Sequence, residues 1–339
     1  MVATAGILAG ARKAAASVEK LPVNLFGSVM GIAGLSLAWR QAHTVFGAHA
    51  MISEAIGVVA IGVFAALAVA YIVKTLRYPR AVMAEFDHPV MGNFFGTITI
   101  GLLLLSAVVT PHNEYFGQWV WIVGAITTLG LSYIGIQRFL TMKQDGTNTV
   151  PPLLIPGVAS LDIAVTGATM PFDWAYEVNL FALAIGSVFA VTLFVLIAAR
   201  FRHFDPMPAP MTPVLLVLIA PFEVGFLAYT NMTHSIDMFS AMLFYFGLFL
   251  FLVLMPRVFH PSVPFGVPWW AVSFPMAALS IAALKYASAQ GGLGTTIIAA
   301  LILAALTVLI AVLFVRTLVI AFVRLTETLA VFEGDGGTG

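Results

Sequence analysis

Residues 297–315 read IIAALILAALTVLIAVLFV, and residues 181–199 read FALAIGSVFAVTLFVLIAA. Neither stretch holds a charge or a proline. A helix of roughly 20 such residues is about as long as the hydrocarbon core of a bilayer is thick. The whole chain agrees with this reading. Of its 339 residues 61% are hydrophobic and only 9% are charged, with a mean hydropathy of +1.03. A soluble domain carries about a quarter charged residues. This chain has too few to cover a water-facing surface, so its solvent is lipid. Net charge is zero, and no basic block or aromatic-basic patch appears, which argues against nucleic acid as a partner. Cysteine is absent, which removes disulfides, thiolate catalysis and thiolate metal sites and leaves the redox compartment open.

Ten spans follow, near 22–42, 52–75, 89–110, 116–140, 150–171, 175–200, 210–232, 236–256, 266–288 and 294–323, with short connections. They form one transmembrane domain over 21–325, an all-α integral membrane fold. Residues 1–20 read as a short Ala-rich cytoplasmic segment, because Arg12 and Lys13 follow the apolar run where a signal peptide would place them before it. Residues 326–339, ending in EGDGGTG, read as a disordered cytoplasmic tail. Thirteen of the 15 basic residues fall at the N-terminus, after the even spans or in the last turns of the tenth; Arg40 and Lys285 are the other two. That bias puts both termini in the cytoplasm. The protein is expected in the cytoplasmic (inner) membrane.

Odd and even spans differ in chemistry. Proline opens or enters the odd ones, at positions such as Pro22, Pro89, Pro151, Pro156, Pro213, Pro221 and Pro275, while no even span has one in its interior. Asn24, Ser28, Asn93, Thr97, Asp162, Thr166, Glu223 and Ser273 all lie in odd spans. Proline frees a backbone carbonyl, which in lipid must be satisfied by protein or water. Five proline-kinked, polar-spotted helices therefore belong inside, around a cavity, with five smooth helices outside. The odd spans start near residues 22, 89, 151, 210 and 266, which suggests five hairpins in a ring. Gly27/Gly31 and Gly92/Gly96 would let inner helices approach closely. Trp39, Trp119/Trp121 and Trp269/Trp270 sit near span ends, as an aromatic belt predicts.

Two stretches carry a resemblance. LPVNLFGSVMGIAGLSLAWRQA (21–42) resembles the first helix of the tellurite-resistance/dicarboxylate transporter family, which includes bacterial TehA and the slow-type anion channels of plant guard cells. WWAVSFPMAALS (269–280) is similar to the ninth helix of TehA, whose matching stretch carries a pore-gating phenylalanine. Over roughly residues 20–325 the resemblance implies a quasi-fivefold ring of hairpins, a central pore plugged by Phe and a homotrimer with one pore per subunit.

Several residues become candidates. Phe274, beside Pro275, is either ordinary packing or the pore gate that the resemblance implies; an aromatic ring across a narrow apolar pore excludes ions sterically and by dewetting. Asp162 and Glu223 lie mid-span, where a carboxylate is costly and marks a functional site by default. Each is either a neutral acid bonded to kinked backbone or a proton-linked group. A fixed anion would repel a permeant anion, so Glu223 either stays protonated or points between helices. The TehA stretch has an apolar residue where this chain has Glu223. Ser273, Asn24 and Asn93 complete the pore-lining candidates. Arg40 and Lys285 close the first and ninth spans as interfacial anchors or as an anion-attracting mouth, with Glu54 or Asp237 as possible partners of Lys285.

No histidine lies mid-span, and His43 with His49 lacks a third ligand, so no metal and no cofactor is expected. No nucleophile or phosphate-loop motif appears, which disfavours an enzyme. A gated channel for small inorganic or organic anions ranks first. A proton-coupled carrier of C4-dicarboxylate, sulfite or tellurite-like oxyanions ranks second, and the lipid bilayer is the common partner of both.

Overall fold

The computed structural model describes residues 18–143 and 145–334, and side chains as far as residue 322. Arg12, Lys13, most of the N-terminal segment and the last five residues of the tail lie outside the described residues. Among those described, every regular element is helical. Ten principal helices follow one another as α1 (Gly27–Phe46), α2 (Ala50–Arg77), α3 (Gly96–Val109), α4 (Glu114–Thr141), α5 (Ile155–Gly167), α6 (Asp173–His203), α7 (Ala220–Thr233), α8 (Met238–Val258), α9 (Trp270–Gln290) and α10 (Leu293–Gly334). An extra short helix, Pro79–Asp87, connects α2 to the third span. The backbone of α10 stays helical to Gly334, beyond the expected limit at 325, because residues 325–333 contain neither glycine nor proline.

The odd helices form a closed ring: α1 packs on α3, α3 on α5, α5 on α7, α7 on α9, and α9 back on α1. Each even helix packs on the odd helix before it and also on the odd helix that follows, so the outer layer staples the ring at every seam. Burial separates the two layers. The most apolar stretches of α2, α4, α6, α8 and α10 are 17–33% buried, against 61–83% for the third, seventh and ninth spans. Helices that are apolar all round and still exposed require an apolar solvent, so the chain is a multi-pass membrane protein.

Eight helices are long and apolar enough to cross a bilayer by composition alone. The other two expected spans are α1, which carries Arg40, Gln41 and His43 in its last turns, and α5, which has only 13 residues. Both belong to the inner ring, where protein replaces lipid.

The prolines act differently from the expected kinks. Each inner helix is preceded by a 3₁₀ segment: Val23–Phe26, Met91–Phe95, Pro151–Leu154, Ala209–Ile219 and Val267–Trp269. These five segments touch in the same cyclic order as the helices. Pro151, Pro156, Pro210, Pro221 and Pro268 occupy first-turn positions, where a missing N–H costs nothing. Of the inner α-helices only α9 has a proline in its interior, Pro275. We call the end of the ring that carries the 3₁₀ segments the near end, and the opposite end the far end.

Two details fix the seams. On α1, a Cβ at Gly31 would collide with the Ser273 side chain, so glycine there sets the α1–α9 approach. At the near end, buried Lys74 on α2 donates to Glu85 of the short helix (2.6 Å) and to the Leu21 carbonyl (2.7 Å). Glu85 also accepts from Tyr71 (2.8 Å) and from the Val23 amide (3.3 Å), which ties the short helix to the start of the first span. At the far end α8 starts on a capping box, in which the Ser240 backbone N–H holds the Asp237 carboxyl below its usual range.

Candidate functional site

The ring encloses two cavities on its axis. The near one, about 30 Å³, is lined by Asn24, Gly27 and Met30 of the first span, Phe94, Thr97 and Ile100 of the third, and residues of the three other inner spans, ending at Phe274 and Pro275. The far one, about 230 Å³, is lined from all five inner helices and includes Arg40, Asp162, Asn231 and Lys285. Lining residues recur at helical spacing: 27, 30, 34 and 37 on the first span, 97, 100, 104 and 107 on the third, and 271, 274, 278, 281 and 285 on the ninth. One stripe of each inner helix therefore faces a common axis. Among the described residues Phe274 alone borders both cavities. It is 7% exposed, at the place where the two linings meet.

Pro275 follows immediately on α9 and deprives the Ala271 carbonyl of its intrahelical donor. Ala271 lines the near cavity, so the helix is weakened on the axial side, one turn before the ring of Phe274. Ser273 is fully buried at the α1–α9 seam, donating to the carbonyls of Trp270 (2.6 Å) and Gly27 (3.2 Å). It lines neither axial cavity.

The two carboxylates, equivalent in sequence, separate in space. Asp162 on α5 faces the far cavity and leaves its Oδ2 without a hydrogen-bond partner. Glu223 on α7 lines neither axial cavity; its carboxyl lies against Gly247 of the outer helix α8, where a Cβ would collide with it. Of the two alternatives for Glu223, pointing between helices describes its position.

Both expected mouth residues sit at the far cavity, each with a definite partner. Arg40 donates to the carbonyls of Ala107 (2.6 Å) and Val108 (3.1 Å), closing the C-terminus of α3, where helix carbonyls lack intrahelical donors. Lys285 donates to Oδ1 of Asn231, whose Nδ2 in turn donates to the Val165 carbonyl (2.8 Å). Neither Glu54 nor Asp237 is its partner: Asp237 is held by Ser240 and Tyr229 (2.7 Å). Asn231 escaped the sequence reading, although it extends the axial stripe of α7 one turn beyond Leu227.

At the near end Asn24 lines the axial cavity with a buried, unpartnered Oδ1. Asn93 lies elsewhere. It donates to the Pro89 carbonyl (2.8 Å) and lines a separate pocket between the hairpins. The tryptophans divide as well. Trp119 is exposed, but Trp121 and Trp270 are buried and donate to the Ile163 carbonyl (3.2 Å) and to Thr317 (3.0 Å), so they are core residues outside any belt. No group of three metal-ligating side chains occurs among the described residues.

A ring of five helical hairpins around two axial cavities defines an all-α, multi-pass membrane protein. The chain belongs to the SLAC1 family, described as voltage-dependent anion channel, whose model matches residues 20–318. The S-type anion channel SLAH2 of Arabidopsis thaliana is 26% identical over 320 residues, covering 90% of this chain and 60% of that protein. The guard cell S-type anion channel SLAC1 of the same plant is 26% identical over 325 residues, 90% of this chain and 56% of its own length. A tellurite resistance protein TehA homolog of Haemophilus influenzae is 25% identical over 275 residues, covering 78% and 81%. The chain thus spans little more than half the length of these plant relatives.

Proposed function

We propose that the protein is a gated channel for small anions, with one axial pore per subunit and Phe274 as the group that closes it. The observation that carries this reading is the position of Phe274 as the one described side chain shared by the near and far cavities. A ring of carbon held across a narrow apolar path blocks an ion by size and by forcing it to shed water. Pro275 supplies a local weakness through which the aromatic ring can move aside. The names of the relatives, S-type anion channels and a tellurite resistance protein, fit anion passage.

The near end is read as cytoplasmic, because Lys74, Arg77, Arg80, Arg138, Lys143, Arg200, Arg202 and Arg257 gather there. In a bacterium the membrane would be the inner one. The homotrimer implied by the resemblance has support in the wide apolar surfaces of the outer helices, which suit subunit contacts as well as lipid.

The test is flux. Purified protein in liposomes passes chloride or nitrate at a low rate; Phe274→Ala raises that rate roughly tenfold or more, equivalent to about 1.4 kcal/mol off the barrier. Equal flux at equal incorporation removes Phe274 from the gate.

A second reading, a proton-coupled carrier of dicarboxylate or sulfite-like oxyanions, rests on Asp162, an acid at the axial cavity with an unpartnered oxygen. In a carrier an imposed proton gradient drives anion uptake, and Asp162→Asn abolishes that drive. In a channel flux follows the anion gradient alone.

A further inference from the structure

A cavity of about 750 Å³ lies off the axis, at the near end between α4, the start of the fifth span and α6. Its origin is a mismatch of lengths. Helices α4 and α6 have 28 and 31 residues, whereas α5 between them has 13 and begins only after the 3₁₀ turn Pro151–Leu154. The near-end halves of the two long helices therefore stand apart.

Into this space α6 contributes Arg200, which is 7% exposed. Among the described residues its buried Nε and Nη1 have no hydrogen-bond partner and no acid pairs with it. Its guanidinium lies 5.7 Å from the centre of the Phe201 ring. A buried unpaired guanidinium is among the most costly arrangements a protein can hold, and it calls for an anion. The second guanidinium in the cavity, Arg138, is already engaged by Asp87 (2.8 Å) and the Phe86 carbonyl (2.7 Å). Asp87 is thus neutralised by Arg138, and Arg200 is left over. His88 and His203 also line the space, and Leu131, Ile134 and Leu196 make one wall apolar.

We propose that this pocket binds a phosphate monoester group through Arg200. A guanidinium presents paired N–H donors that match two phosphate oxygens. The volume is far larger than a halide needs and accommodates a phosphate with an attached organic group. Two sources offer that group, free phosphate compounds and the headgroup of phosphatidic acid, whose chains would lie along the apolar wall. The site is separate from the axial path, so it stands whether the protein is a channel or a carrier.

Binding to the purified full chain tests it, read as thermal stabilisation on titration with inorganic phosphate in detergent and, in a second arm, with phosphatidic acid in phosphatidylcholine nanodiscs. At least one ligand stabilises the parent, and Arg200→Gln weakens its binding roughly tenfold, the loss expected for one charge-assisted contact. Arg202→Gln, which alters an exposed neighbour outside the pocket, leaves binding unchanged. Stabilisation by phosphate identifies the soluble source, and stabilisation by phosphatidic acid alone identifies the lipid. Failure of both ligands, or equal binding by Arg200→Gln and parent, overturns the site. If Arg200→Gln does not fold, Leu196→Trp fills the pocket while keeping the arginine, and retained binding in that variant overturns the proposal equally.

Discussion

The two halves of the axial path are made from the same five helices and differ in nearly everything else. The near half, about 30 Å³, is lined by apolar side chains with Asn24 and Thr97 as its polar members. The far half, about 230 Å³, collects Arg40, Asp162, Asn231 and Lys285. A space of 30 Å³ holds roughly two waters at most, too few to hydrate an ion, whereas the far cavity has room for many. Charge on the axis is thus confined to the half that has room for hydration. Under the channel function proposed above, the difference separates selectivity from gating: the far half gathers anions, and the barrier sits at Phe274 and below it.

Substitutions can break this contrast. Removal of the dividing side chain in Phe274→Ala has the largest effect, the gain in flux set out above. Next comes Arg40. Its two hydrogen bonds close α3, so Arg40→Met should cost about 2–3 kcal/mol of stability, read as a lowered melting temperature in detergent. Lys285 makes its hydrogen bond to a side-chain amide and keeps its charge available to the cavity. Lys285→Met should lower anion flux through Phe274→Ala pores about three- to tenfold at low ionic strength and less at high salt. In the near half Asn24→Ala should leave that salt dependence unchanged. Asp162→Asn is the smallest of the set: the acid is buried with one unpartnered oxygen, and an amide of the same shape should change anion flux by less than about twofold. A larger decrease would favour the carrier reading.

Much of the architecture was legible from the chain. Prolines and polar residues concentrate in alternate spans, and this marks the inner ring because only protein neighbours can tolerate them there. What those prolines do was less legible. Pro156 and Pro221 look like kinks in a sequence, yet each starts an α-helix after a 3₁₀ segment, a distinction that depends on where the backbone changes pitch.

Rotation of each helix about its own axis was also hidden. An inner helix is buried on every side, so its apolar pattern has no preferred face to read. Asp162 and Glu223 occupy comparable depths, but one faces the axis and the other faces Gly247. Asn93 looked pore-lining and lines the lateral pocket, while Asn231 looked unremarkable and holds Lys285. Arg200 counted only toward topology, since its missing partner appears only once α5 is seen to be short. Phe274 stood out through resemblance and its neighbouring proline; among 27 phenylalanines composition alone could not select it.

The absence of cysteine from the chain makes the central claim directly measurable. Ala271 lines the near cavity and Ala278 the far one, on either side of Phe274. Single-cysteine variants at these positions, in oriented proteoliposomes, can be challenged from each side with a small, membrane-impermeant anionic thiosulfonate. The account predicts that Ala278→Cys reacts only from the far side while Ala271→Cys, in the narrow near half, resists the reagent from both sides, and that adding Phe274→Ala opens Ala271→Cys to the far side. Reaction of Ala278→Cys from the near side at an undiminished rate with Phe274 in place would contradict it.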